Sequence, residues 1–374
     1  MPTAGSQTSE PAPLSATEFV SSVNDALQNY LEQQQQRVES IAKEGTDLVA
    51  SIKALSLGGK RIRPLFAWYG WQIAGSNPTD ERIRRLGVSL ELFQAAALIH
   101  DDILDRSDTR RGQPSAHRSF EALHVGRGWD QDAEHFGVSA GILAGDLSLA
   151  LSEEVFASVV LDIAAGCADA AASARKVFDD MRFEVMTGQY LDIREESAGR
   201  FHTPDVALER AMTILQYKSA KYSVERPLML GAAAAGANPE LLAQLSKLSL
   251  PLGEAFQLRD DQLGVFGDSA VTGKPSGDDL REGKRTALIA YARSASTAAG
   301  QQMIDDHLGD NELSEAQIAE LQDLIRNSGA ETKIEQLIEA KAQEAFAHID
   351  TLQCPTAVRT GLRTLAEAAI NRQK

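Results

Sequence analysis

Five aspartates stand in two short clusters. Asp101, Asp102 and Asp105 end the run "ELFQAAALIHDDILD", and Asp260 and Asp261 end "LSLPLGEAFQLRDD". On a helix, positions i and i+4 lie ~40° apart around the axis and ~6 Å apart along it. Asp101 and Asp105 would therefore share a face, with Asp102 alongside. Like charges at that spacing destabilise a helix unless cations offset them. Hard oxygen donors without histidine or cysteine suit magnesium, which keeps some of its waters and commonly bridges to phosphate. A solvated acidic helix end is the plainer alternative, but the apolar run before each cluster argues against an ordinary surface. Two such ends suggest carboxylates facing each other across a cavity.

The basic residues extend that picture. "GGKRIRP" sets Lys60, Arg61 and Arg63 behind Gly58 and Gly59, where a tight turn lets backbone amides approach an anion. "RRG" supplies Arg110 and Arg111, "YKSAK" supplies Lys218 and Lys221, and "TGKPSGDDLREGKRT" supplies Lys274, Lys284 and Arg285. Any one of these is ordinary surface charge. Together with two acidic clusters they describe a site for two phosphorylated groups, one held through metal and one through basic side chains, arginine forks above all.

The elements that must position these groups are helical. Aromatics make up 6% of the 374 residues, alanine, leucine, glutamate and glutamine are abundant, and no alternating β-branched runs occur between turn pairs, so the expected class is all-α with few or no strands. "LGVSLELFQAAALI" is apolar on nearly every side, as suits a helix inside a bundle. Capping boxes are expected at Ser15/Glu18, Ser314/Gln317 and Thr332/Glu335. "HVGRGWDQDAEHFG" is polar and glycine-rich and is expected to be a surface loop. Residues 1–15 are expected to form a disordered arm and 16–374 one domain. The net charge, 37 − 53 = −16, disfavours nucleic acid and anionic membrane surfaces as partners. No run approaches the ~18–20 uncharged residues of a membrane span. The N-terminus lacks a signal peptide's basic start and apolar core. Cys167 and Cys354 match no disulfide or metal spacing, which points to a reducing compartment, the cytoplasm.

In this order and spacing the motifs resemble the trans-isoprenyl diphosphate synthase (polyprenyl synthetase) family, over roughly residues 57–286. "DDILD" matches its first aspartate-rich motif with "RRG" beyond it. "GGKRIRP" matches the isopentenyl diphosphate motif, "AGDLSLA" and "MTGQYLD" the pieces between, and "FQLRDD" with "GKPSGDDLREGKRT" the second aspartate-rich region. The resemblance implies an isoprenoid synthase-type helical bundle around a central cavity, usually a homodimer, using about three magnesium ions. It implies Asp101, Asp105 and Asp260 as principal metal ligands, supported by Asp102, Asp261 and Gln257. Arg110, Lys218 and Lys274 would hold an allylic diphosphate. Lys60, Arg63, Gln94 and Arg111 would hold isopentenyl diphosphate. Ser219, where the family usually has threonine, would stand near the developing carbocation, and Gln189 and Asp192 would orient Lys218. Two departures stand out: Gly264 replaces the third aspartate of the second motif, and Gln94 occupies a place that is histidine in some members.

The implied reaction is ionisation of the allylic diphosphate, attack by the double bond of isopentenyl diphosphate, and loss of a proton. Family members with bulky aromatics four or five residues before the first aspartate make shorter products. Here those places are Ala97 and Ala96. Leu90 lies 101 − 90 = 11 residues before Asp101, ~20° off its line and ~16 Å deeper, a natural floor for a twenty-carbon chain. The expected product is geranylgeranyl diphosphate, with farnesyl or longer polyprenyl diphosphate as alternatives. A terpene cyclase or a non-catalytic synthase subunit is less compatible, since "GGKRIRP" would have no cyclase role and both metal motifs are retained.

Overall fold

The computed structural model describes residues 14–56, 58–267 and 276–371. Its helices are α1 (Ala16–Glu39), α2 (Thr46–Ser56), α3 (Ile62–Ile73), α4 (Glu81–Leu104), α5 (Ala116–Arg127), α6 (Ala133–Ala164), α7 (Ala168–Ala198), α8 (Pro204–Ile214), α9 (Arg226–Ala234), α10 (Pro239–Phe266), α11 (Asp278–Glu282), α12 (Ala287–Ala295), α13 (Ala298–His307), α14 (Glu315–Asn327), α15 (Ala330–Thr351) and α16 (Thr356–Ile370). Between α8 and α9 the chain continues as a π-helix, Leu215–Glu225. The chain is thus all-α, as its composition demands. One small exception is a hairpin, β1 (Thr109–Arg110) against β2 (Gln113–Pro114), with Thr109 opposite Pro114 and Arg110 opposite Gln113.

α4 sits at the centre. Its burial runs around nearly the whole circumference, from Ile83 through Leu86, Leu90, Leu92 and Phe93 to Ile99. α6 lies along one side, where Ser148 and Ser152 donate to the Leu92 and Ser89 carbonyls at 2.8 Å each. Phe93 meets Phe178 of α7 and Tyr222 of the π segment edge-on, and Phe178 stacks on Phe156 of α6 at 3.9 Å. Burying each of these rings stabilises the bundle by roughly 2–3 kcal/mol. The same apolar core reaches from Phe19 to Ile370. Among the described residues no helix is long and apolar enough to cross a membrane.

Two expected capping boxes form, at Ser15/Glu18 and Ser314/Gln317. The third does not: α15 starts earlier, after Gly329 at φ +80°, and has no side-chain cap. The expected loop between α5 and α6 is also shorter than its composition suggests. α5 runs to Arg127, and Asp132 caps α6 through the amides of Glu134 and His135. Most of the expected N-terminal arm, residues 1–13, lies outside the described residues.

Candidate active site

α4 and α10 both end at one cavity of about 740 Å³, and the predicted chemistry converges there. Asp101 and Gln94 of α4 line it, as do Gln257, Asp260 and Asp261 of α10. So do Lys60 and Arg63 before and within α3, Arg110 and Arg111 of the hairpin, and Lys218 and Ser219 of the π segment. Lys274 lies outside the described residues.

The first acidic end is wrapped by the chain's own cations. Lys218 Nζ stands 3.3 Å from Asp101 Oδ1 and 2.5 Å from Asp192 Oδ2. Among the described residues, Gln189 makes no comparable bond to it. Burial alone would lower the Lys218 pKa, but Asp101, Asp192 and Asp105 outweigh it and hold the ammonium well above its ordinary value. Asp102 is fully buried, and its Oδ1 accepts from Arg110 Nε at 2.7 Å. Asp105 caps α4, and Lys284 Nζ lies 3.6 Å from its Oδ2. Burial, then the charge of Asp101, pushes the Asp105 carboxyl up to about 7.

The second end differs. Asp260 is exposed to the cavity, while Asp261 Oδ1 accepts from Gln257 Nε2 at 2.7 Å. Burial, then the charge of Asp279, pushes Asp261 up to about 8.

The hairpin explains the paired arginines. Arg111 and Gly112 both have left-handed backbones, at φ 55° and 72°, forming the kind of tight turn that right-twisted strands favour. The turn sends Arg110 inward onto Asp102 and Arg111 across to Gly58 and Gly59. A Cβ on those glycines would lie 3.2 Å and 3.0 Å from the Arg111 guanidinium, so side chains there would crowd it. Burial, with Arg61, Arg110 and Arg63 nearby, lowers the Arg111 pKa despite Glu91. Arg63 is held over the Tyr222 ring at 4.2 Å and donates to Ser223 Oγ at 2.8 Å. Tyr222 donates to Gln94 Oε1 at 2.6 Å, which leaves the Gln94 amide nitrogen as the half that can donate to an anion.

Some basic residues serve packing instead. Arg61, buried with φ 50°, ties α1, α2 and α4 together through Asn24, the Ser56 carbonyl and Glu91. Lys221 pairs with Glu184 at 2.9 Å.

The tail channel read from the sequence needs correction. The cavity-facing positions of α4 are Glu91, Gln94, Leu98 and Asp101. From Asp101, Glu91, Gln94 and Leu98 lie ~20–80° to one side of the helix, whereas Leu90 and Ala97 lie ~20–40° to the other. Leu90 and Ala96 are fully buried in the core, so neither lines the cavity, and Leu90 cannot serve as its floor. Ala97 is only partly buried. Sequence reasoning also missed Asp279, which lines the cavity, and Ala368 and Asn371, which bring the C-terminal helix to its wall. No motif marks the last two, because they are set by tertiary packing.

Magnesium is tested by the donors. Both oxygens of Asp105 are buried without a hydrogen-bond partner, and carboxylate oxygen is the donor that magnesium prefers. The residues fit. Among the described residues, however, no three ligands are gathered as a ready-made metal site. Asp101, Asp102 and Asp105 instead face Lys218, Arg110 and Lys284.

An all-α bundle with two acidic helix ends and a ring of cations around one cavity defines a diphosphate-handling enzyme. Residues 46–325 match the polyprenyl synthetase family, and the chain belongs to it. It is a trans-prenyltransferase. It is 33% identical to geranylfarnesyl diphosphate synthase of Aeropyrum pernix over 282 residues, covering 75% of this chain and 80% of the relative. It is 25% identical over 358 residues to geranylgeranyl diphosphate synthase of Sulfolobus acidocaldarius, covering 96% and 97%. A solved geranylgeranyl pyrophosphate synthase from Corynebacterium glutamicum, complexed with isoprenyl diphosphate and magnesium, superposes with a TM-score of 0.89 at 42% identity, covering 96% of this chain and all of that one.

Proposed function

We propose that this cavity condenses isopentenyl diphosphate with an allylic diphosphate to give geranylgeranyl diphosphate. The observation that carries the proposal is that Asp101 and Asp260, from helices far apart in sequence, line one cavity with Lys60, Arg63, Arg110, Arg111 and Lys218. Asp101, Asp105 and Asp260, with Asp102 and Asp261 behind them, would hold about three magnesium ions, which supply Lewis-acid stabilisation of the departing diphosphate. Lys218 and Arg110 neutralise the same leaving group from the protein side, and Lys274 has the same proposed role. Lys60, Arg63, Arg111 and Gln94 orient the second diphosphate, which brings the nucleophilic double bond to the allylic carbon. Ser219 places its hydroxyl beside the developing cation. Leu98, Ile214, Leu215 and Phe256 give the cavity an apolar wall that keeps water from the cation. The proton lost at the end is proposed to pass to the released diphosphate.

Support for a twenty-carbon product comes from Ala97, a small and partly exposed residue one turn below Asp101, and from the two relatives named as geranylgeranyl synthases, whereas the Aeropyrum relative is a geranylfarnesyl diphosphate synthase. A homodimer is supported by an exposed stripe on α7, Phe183, Met186 and Tyr190, and by exposed Ile142 and Leu143 of α6. These are large apolar side chains that a second copy would cover. A cytoplasmic location is supported by two cysteines that are both free.

Labelled isopentenyl diphosphate, magnesium and each of dimethylallyl, geranyl and farnesyl diphosphate would test the proposal. Incorporation into a twenty-carbon diphosphate is expected. No incorporation with any primer would sink it, and a fifteen-carbon or longer product would correct the length alone.

A further inference from the structure

Gly264 lies four residues after Asp260 and three after Asp261, on the face of α10 that meets the cavity. A Cβ built on Gly264 would stand 1.9 Å from Asp279 Oδ2, 2.3 Å from its Cγ and 2.8 Å from Oδ1. No real side chain tolerates such distances. The Asp279 carboxylate, reaching across from α11, therefore fills the space a side chain at position 264 would need. The geometry points to a transferred ligand: the third carboxylate of the second acidic end is supplied by Asp279, and Gly264 is the vacancy that admits it.

Three further observations agree. Asp279 is 8% exposed and lines the same cavity as Asp260 and Asp261. Its backbone is fixed by a short helical turn between Gly277 and Gly283, both left-handed at φ 74° and 82°, and its carbonyl accepts from the Lys284 amide at 3.0 Å. The Lys284 ammonium lies 3.4 Å from Asp279 Oδ1 and 3.6 Å from Asp105 Oδ2. One positive charge thus already touches carboxylates of both acidic ends, and a divalent ion near that place would be shared in the same way. Asp279 would act toward the metal, directly or through a bound water, as a positioning residue for the diphosphate.

The inference rests on reading the cavity as a magnesium–diphosphate site, so the test carries a control for that reading. Calorimetry would measure binding of inorganic diphosphate to the full chain across a magnesium series. Asp279→Asn, which keeps shape and removes charge, should weaken magnesium-dependent diphosphate binding about tenfold or more. Unchanged thermal melting would confirm that the loss is local. The double variant Asp279→Ala/Gly264→Asp, which returns the carboxylate to α10, should recover most of what Asp279→Ala loses. Wild-type binding by Asp279→Asn, or a folded double variant no better than Asp279→Ala, overturns the transfer. If Asp260→Asn also binds diphosphate as the wild type does, the site reading itself falls. If Asp260→Asn weakens binding and Asp279→Asn does not, only the transfer falls.

Discussion

The two acidic helix ends look alike in sequence and differ in how the fold treats them. At the end of α4, Asp101, Asp102 and Asp105 each face a basic side chain from another element: Lys218, Arg110 and Lys284. At the end of α10, Asp260 is exposed, and the charge that most raises Asp261 is another carboxylate, Asp279. The first end is largely neutralised from within, so its cations are already gathered where a departing diphosphate needs them. The second gathers Asp261 and Asp279, with the Gln257 amide as a hydrogen-bond donor and Lys284 standing 3.4 Å from Asp279. Preorganised charge of this kind costs no reorganisation at the moment of reaction. On the proposed reading both ends offer carboxylates to metal, and the first also carries the cations that meet the departing diphosphate.

If both halves are needed for chemistry, deleting either principal carboxylate has the largest effect. Asp101→Ala and Asp260→Ala should each lower turnover by about 10²–10³ or more. Circular dichroism and melting should stay close to wild type in both. Near-normal turnover in one would reduce the pair to a single working end.

Stability should separate the ends more sharply. Lys218→Ala leaves Asp101 and Asp192 close together in a poorly solvated place without their shared ammonium. It should cost the unliganded protein on the order of 2–3 kcal/mol in urea unfolding. Magnesium should return part of that by binding the folded state alone. Gln257→Ala at the other end loses one partly buried hydrogen bond and should cost only about 1 kcal/mol. Equal losses would erase the distinction.

A smaller change is expected at Ala97→Phe. It puts a ring one turn below Asp101, above Phe93 and its packing on Phe178 and Tyr222. The product should shift toward fifteen carbons with turnover largely kept, read by sorting labelled products by length. An unchanged profile would mean that the tail runs along Leu98 instead.

Much of this site was legible in the sequence because its logic is local. Asp101 and Asp105 share a face by helical period alone, and an apolar run ending in carboxylates marks a buried helix opening on a cavity. Residue type alone did not separate Arg61 from Lys60 and Arg63, and only the family resemblance left it out, because whether a cation binds ligand or packing depends on partners such as Glu91 and Asn24 that lie far away in the chain. The Leu90 floor failed for a related reason. Helical period fixes the angle between two side chains but not where neighbouring helices leave space. Asp279 was hidden because its role depends on a gap at Gly264, which only the packing of α11 on α10 reveals.

The last predicted effect tests whether the neutralised end still carries stored repulsion. Glu196 lies one helical turn beyond Asp192 on α7, and burial, then Asp192 and Asp105, pushes its carboxyl from an ordinary 4.5 up to about 7. The fold thus holds a proton that the unfolded chain releases. Stability from this group is fully present below pH 4.5 and is lost as pH rises through about 7. Glu196→Gln cannot ionise and should lack that loss. Urea unfolding of the metal-free wild type and variant should therefore diverge between pH ~5 and ~8, in the variant's favour. Groups that titrate identically in both cancel in the difference. Parallel stability curves would mean that Lys218 and Lys284 offset the charges of Asp192 and Asp105 at Glu196, and that no repulsion is stored there.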